Sequence, residues 1–96
     1  MCKVLAQNGY EVEYLKLTEG SFDIYLNGIS ADLKKTMSHN NILDYAKKAV
    51  YKQEAKIVIF EFIEMTGKIW YELNKMKRMG INVKYFISVE KIIFEL

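Results

Sequence analysis

The chain has 96 residues, of which 51% are hydrophobic, 14% aromatic and 27% charged. That is the make-up of one small globular domain, and it excludes a disordered or membrane-embedded chain. A net charge of +2 is low for a nucleic-acid-binding domain, and one cysteine, Cys2, excludes an internal disulfide and a multi-cysteine zinc site.

In chain order, residues 2–8 read as the last turns of a helix stopped by Asn8-Gly9. Nothing in this start resembles a signal peptide. Residues 10–17 alternate as a strand, with Tyr10, Val12 and Tyr14 opposite Glu11 and Glu13. Residues 22–26 and 29–35 read as two short strands joined by Asn27-Gly28, the strongest local signal for a tight hairpin. Ser38 or Asn40 can cap the next helix, whose buried face is Ile42, Ala46, Ala49, Val50 and Gln53. Residues 56–63 form a continuous β-branched and aromatic run, as in a central strand covered on both sides. Residues 66–79 are amphipathic, with Ile69, Trp70, Leu73 and Met76 inward and Gly80 at the end. Residues 83–88 and 91–96 read as final strands. The longest apolar runs, 57–60 and 92–94, fall far short of the roughly 20 residues of a membrane helix, so no membrane association is expected. The order specifies an α/β (α+β) fold, a mixed sheet flanked by helices, as a single domain over residues 1–96.

The hairpin carries the candidate chemistry. A two-residue turn sets Leu26 against Ile29, Tyr25 against Ser30, Ile24 against Ala31 and Asp23 against Asp32. One side holds Phe22, Ile24, Leu26, Ile29, Ala31 and Leu33, all apolar; the other holds Asp23, Tyr25, Ser30, Asp32 and Lys34. The two aspartates should form a non-hydrogen-bonded pair with Cβ atoms about 4.5–5.5 Å apart. Like charges so placed destabilise a sheet, and a hard divalent cation would compensate them, since Mg²⁺ takes one or two carboxylates with water and phosphate oxygens. Lys34, on the same side, could hold a water or stabilise charge on phosphate. An exposed face with two solvated acids and a neighbouring lysine accounts for the pattern equally well.

These residues carry a family resemblance. An acid in the second strand and D-x-K in the third resemble the PD-(D/E)XK nuclease superfamily, with an αβββαβ nuclease-like core followed by αβ(β). More narrowly, residues 5–12, Phe22-Asp23-Ile24-Tyr25-Leu26-Asn27-Gly28, Ala31-Asp32-Leu33-Lys34, Ser38-His39-Asn40-Asn41-Ile42 and Ala49…Gln53 resemble one branch. That branch comprises the C-terminal nuclease domains of bacterial contact-dependent growth-inhibition toxins and related phage or mobile-element toxin modules. The resemblance implies a metal-dependent nuclease hydrolysing phosphodiester bonds of DNA or of a structured RNA such as tRNA. It implies Asp23 and Asp32 as ligands of Mg²⁺ or Mn²⁺, Lys34 as catalytic lysine and Gln53 as a polar active-site residue. An immunity protein as partner is implied too, with action in the cytoplasm after delivery as the C-terminal part of a larger secreted or phage-encoded protein.

Several other residues are candidates. His39 could contact phosphate, although a histidine in a capping segment is more often structural. Lys35, Lys47 and Lys48 could track a nucleic-acid backbone, or be solvated helix faces. Trp70, Tyr71, Met76 and Met79 read as core or as a homodimer surface. Phe22 stands where the family usually has proline, and the first helix lacks the acid it often contributes, for which Glu11 or Glu13 would have to substitute. This lack and the low charge support a second reading, a catalytically inactive domain of the same fold serving binding or assembly. A third, a metal-independent ribonuclease toxin, would have only His39 and Thr36 to begin its cluster.

Overall fold

The computed structural model describes residues 2–14, 24–36, 41–52 and 54–96. Its organising element is the hairpin. Asn27 and Gly28 have φ of 49° and 81°, the two left-handed residues that a type I′ turn requires and that Asn and Gly tolerate best. Strands β2 (Ile24–Leu26) and β3 (Ile29–Thr36) leave this turn in the expected register, Leu26 with Ile29, Tyr25 with Ser30 and Ile24 with Ala31. On the outer side of β2 lies β1 (Val12–Tyr14), antiparallel, fastened to the turn where Asn27 Oδ1 accepts the Glu11 N–H at 2.7 Å.

From β3 the chain turns parallel. Helix α2 (Ile42–Tyr51) leads to β4 (Ile57–Phe62), and α3 (Gly67–Arg78) leads to β5 (Val83–Ile87). The short β6 (Phe94–Glu95) closes the sheet, which runs β1-β2-β3-β4-β5-β6 with β3, β4 and β5 parallel and the outer pairs antiparallel. The chain is thus a mixed α/β fold, as expected.

Alternation along the strands divides the core in two. Val58, Phe60 and Phe62 of β4, with Val83 and Ile87 of β5, meet Ile42, Ala46 and Ala49 of α2 and Ile69, Leu73 and Met76 of α3. On the other face Ile24, Leu26, Ala31, Ile57, Ile59 and Phe86 pack against Leu5 of α1 (Cys2–Gln7). Both faces of β4 are buried, so apart from Glu61 its residues are apolar. Helix α1 ends at Gly9, φ 86°. Asn8 then ties it to the end of the chain, donating to Lys91 O at 2.9 Å and accepting from the Ile93 N–H at 3.1 Å. Thr66 caps α3, its Oγ1 accepting the Ile69 N–H at 3.1 Å.

Three expectations need correction. The residue before α2, Asn41, is its N-cap, left-handed (φ 67°) and without a side-chain cap bond; Ser38 and Asn40 lie outside the described residues. Trp70 is not inward but 46% exposed. It sits on the flank of α3 above β5, its ring edge-on to Tyr85 at 6.3 Å. The last strand is shorter than residues 91–96, because Lys91, with φ 55°, still belongs to the turn after β5.

Candidate functional site

The parallel register places Asp32 beside Val58 and Lys34 beside Phe60, hence on the sheet face that α2 covers. The polar side of the hairpin is therefore no solvent face. Asp32 is only 1% exposed and Ser30 is buried, while the apolar side meets α1. A carboxylate removed from water needs compensating charge or hydrogen bonds. Lys34 supplies charge: its Nζ lies 3.4 Å from Asp32 Oδ2, with its own side chain 30% exposed. The ammonium also lies 5.8 Å from the ring centre of Tyr45 on α2, within cation–π range. Carboxylate, ammonium and ring thus meet on one side of the sheet, with Lys34 bridging buried acid and surface.

A cleft of about 310 Å³ lies between the hairpin turn and the segment leading into β4; its Ser30 is two residues along β3 from Asp32 and four from Lys34. Glu13 of β1 stands opposite Tyr25 in the register and so belongs to the Asp32 side of the sheet, two strands away from β3. Asp23, His39 and Gln53 lie outside the described residues. Among the described residues, no three His, Cys, Asp or Glu side chains come together to hold a metal.

The remaining expected residues separate. Lys47 and Lys48 are exposed on α2. Lys35 projects to the opposite face, where its Nζ is 3.6 Å from Glu61 Oε2. Glu61 also accepts from the Ser88 hydroxyl at 2.7 Å, forming a second polar group at the ends of β3, β4 and β5. A third buried charge, Lys84, is 5% exposed and pairs with Glu95 of β6 while lying 5.5 Å from the Tyr10 ring centre. The hydrogen bond from Lys84 and its positive charge hold the Glu95 carboxyl below the ordinary 4.5.

Sequence reading missed Tyr45, Glu61 and Lys84. The signal for Glu61 and Lys84 was present: each is a charged residue inside an apolar strand, where a satisfied partner has to exist. Tyr45 follows Ile42 by three positions on α2, which places it along the flank of the buried stripe.

A scan against protein-family models and a search among curated proteins find no match. Among solved structures, one chain of the "CdiA-CT/CdiI toxin and immunity complex from Burkholderia pseudomallei" has a similar fold. The TM-score is 0.70 at 17% sequence identity, covering 98% of this chain and 76% of that one.

Proposed function

We propose that this chain is the metal-dependent nuclease domain of a contact-dependent growth-inhibition toxin, of PD-(D/E)XK type, hydrolysing phosphodiester bonds in DNA or a structured RNA such as tRNA. The observation that carries this is the burial of the Asp32 carboxylate 3.4 Å from the Lys34 ammonium on β3. That β3 belongs to a sheet whose fold is shared with one chain of a toxin and immunity complex adds support. An immunity protein is the corresponding partner.

The donor set fits a hard cation. Mg²⁺ and Mn²⁺ accept carboxylate and water oxygens, and a Mg²⁺ site needs only one or two protein carboxylates. Asp32 is one; Asp23, assigned on sequence alone, is the other. When bound, the metal would act as a Lewis acid toward the phosphate and lower the pKa of water.

The chain's own residues supply the remainder. Lys34 Nζ donates hydrogen bonds to a non-bridging phosphate oxygen and stabilises the charge that grows there. Tyr45 and Asp32 hold that ammonium in place from two sides. Water adds to phosphorus as the bond to the leaving sugar oxygen breaks; the water gives up a proton to solvent and the leaving oxygen takes one up. The products are a phosphomonoester and an alcohol.

One observation favours a second reading, a non-catalytic binding domain of the same fold: α1 contains no acidic residue. The two separate in one experiment. Purified chain is incubated with DNA and with tRNA, with Mg²⁺ or Mn²⁺ or with a chelator, as wild type and as Asp32→Ala. Metal-dependent cleavage that Asp32→Ala abolishes is the expected result. Cleavage indifferent to both chelator and substitution would overturn the proposal, and metal binding without cleavage would favour the binding domain.

A further inference from the structure

We infer that the cleft beside the turn, lined by Tyr25, Gly28, Ile29, Ser30, Glu54 and Lys56, is a nucleotide subsite that takes the base and phosphate next to the scissile bond. This rests on the nuclease reading and adds a ligand class and residues to it.

The position comes first. Tyr25 and Ser30 are cross-strand partners, and Ser30 lies two residues from Asp32 on the same face of β3. Two residues of strand rise place Ser30, on the cleft wall nearest the site, about 7 Å from Asp32, on the order of one step along a single-stranded backbone, with the rest of the cleft extending toward the hairpin turn. At about 310 Å³ it lies at the lower end of the range for small-ligand pockets.

Its construction is the second observation. Glu54 is left-handed, φ 59°, a conformation that costs a non-glycine residue energy and survives only where its surroundings enforce it. Here they do. The buried Ser30 hydroxyl donates to Glu54 O at 3.1 Å and accepts the Lys56 N–H at 3.1 Å, while Lys56 N–H also reaches Ser30 O at 2.9 Å. On the other side of Glu54, the Ala55 N–H donates to Ala49 O at 2.9 Å. Serine on β3 thus clamps the backbone, and the exposed Glu54 and Lys56 side chains are presented at the cleft facing Tyr25.

The three side chains suit one kind of ligand. Tyr25 offers an aromatic face for stacking, Lys56 a cation for phosphate, and the Glu54 carboxylate an acceptor only. A carboxylate accepts from an exocyclic amino group, as in cytosine or adenine, and repels the carbonyl edge of uracil or thymine. The subsite therefore takes a nucleotide with an amino-bearing base, splayed out of its stack.

The test is binding in chelator, so that cleavage plays no part. CMP, AMP and UMP are titrated into the full chain by NMR, and a labelled single-stranded oligonucleotide by anisotropy, with metal-supported cleavage measured in parallel. Wild type should prefer CMP and AMP to UMP. Tyr25→Ala and Lys56→Ala should each weaken binding about tenfold or more, Tyr25→Phe should retain it, and Glu54→Gln should lose the preference. Amide spectra of each variant that match wild type show that the fold is intact. Mononucleotide binding absent, or unchanged in Tyr25→Ala and Lys56→Ala, would overturn the subsite. Failure of the nuclease reading looks different: binding that depends on Tyr25 without cleavage upholds the subsite alone. Cleavage with KM unchanged in Tyr25→Ala and Lys56→Ala removes the subsite and leaves the nuclease.

Discussion

Asp32 and Lys84 are both charged residues buried in the strands of one sheet, at 1% and 5% exposure, yet they do different things. Lys84 joins distant parts of the chain: Tyr10 precedes β1 and Glu95 lies in β6. Its charge stitches both ends of the chain to the sheet, and that structural return accounts for its burial. Lys34, the cation paired with Asp32, lies two residues away on the same strand. This ion pair spans only two residues of one strand, and burying the carboxylate has a desolvation cost. Burial beside so local a cation agrees with the metal-ligand role proposed for Asp32.

The largest expected effect breaks the comparison on activity. Asp32→Asn should lower metal-supported cleavage by at least about 10²–10³-fold, whereas Lys84→Met should leave the rate within about twofold, being on the opposite face of the sheet; initial-rate assays decide. Stability offers the next contrast. Ser30→Ala should cost about 1–3 kcal/mol in urea unfolding, because the hydroxyl that joins the Glu54 carbonyl to the Lys56 N–H is lost, although the Lys56 N–H keeps Ser30 O. Lys84→Met should cost less. Methionine fills the same space, and the Glu95 left behind is 72% exposed and stays solvated.

The smallest effect is a pH dependence. Because Lys84 lowers the folded-state pKa of Glu95, the pair contributes stability above the ordinary 4.5 that is lost as pH falls through the lower folded value. An NMR titration of Glu95 should give a midpoint below 4.5, and Lys84→Met should return it there. No shift between the two chains would remove the stitch that separates Lys84 from Asp32.

The two halves of the comparison were unequally legible from sequence. The hairpin was readable because Asn27-Gly28 fixes a register by backbone conformation alone, and strict alternation then sorts side chains to faces. The burial of Asp32 was not, because it depends on α2 lying over β3, a tertiary event that no local pattern encodes. Lys84 and Glu61 hid for the same reason: their partners Glu95 and Ser88 lie 11 and 27 residues away. Trp70 went astray through helical spacing, which gives the direction of a side chain but not how far the sheet beneath it extends. The strained turn at Glu54 left no trace in residue type, since nothing about glutamate announces a left-handed backbone.

That the Asp32 side of the hairpin, and not another acidic group, is the metal site is most directly tested with Mn²⁺ as a paramagnetic probe. Added to the full chain in substoichiometric amounts, it should broaden the amide resonances of residues 31–34 and Tyr45 first, and Asp32→Asn should abolish this while Glu61→Gln leaves it unchanged. Broadening centred on Glu61 and Ser88, or persisting at Asp32→Asn, would contradict the account.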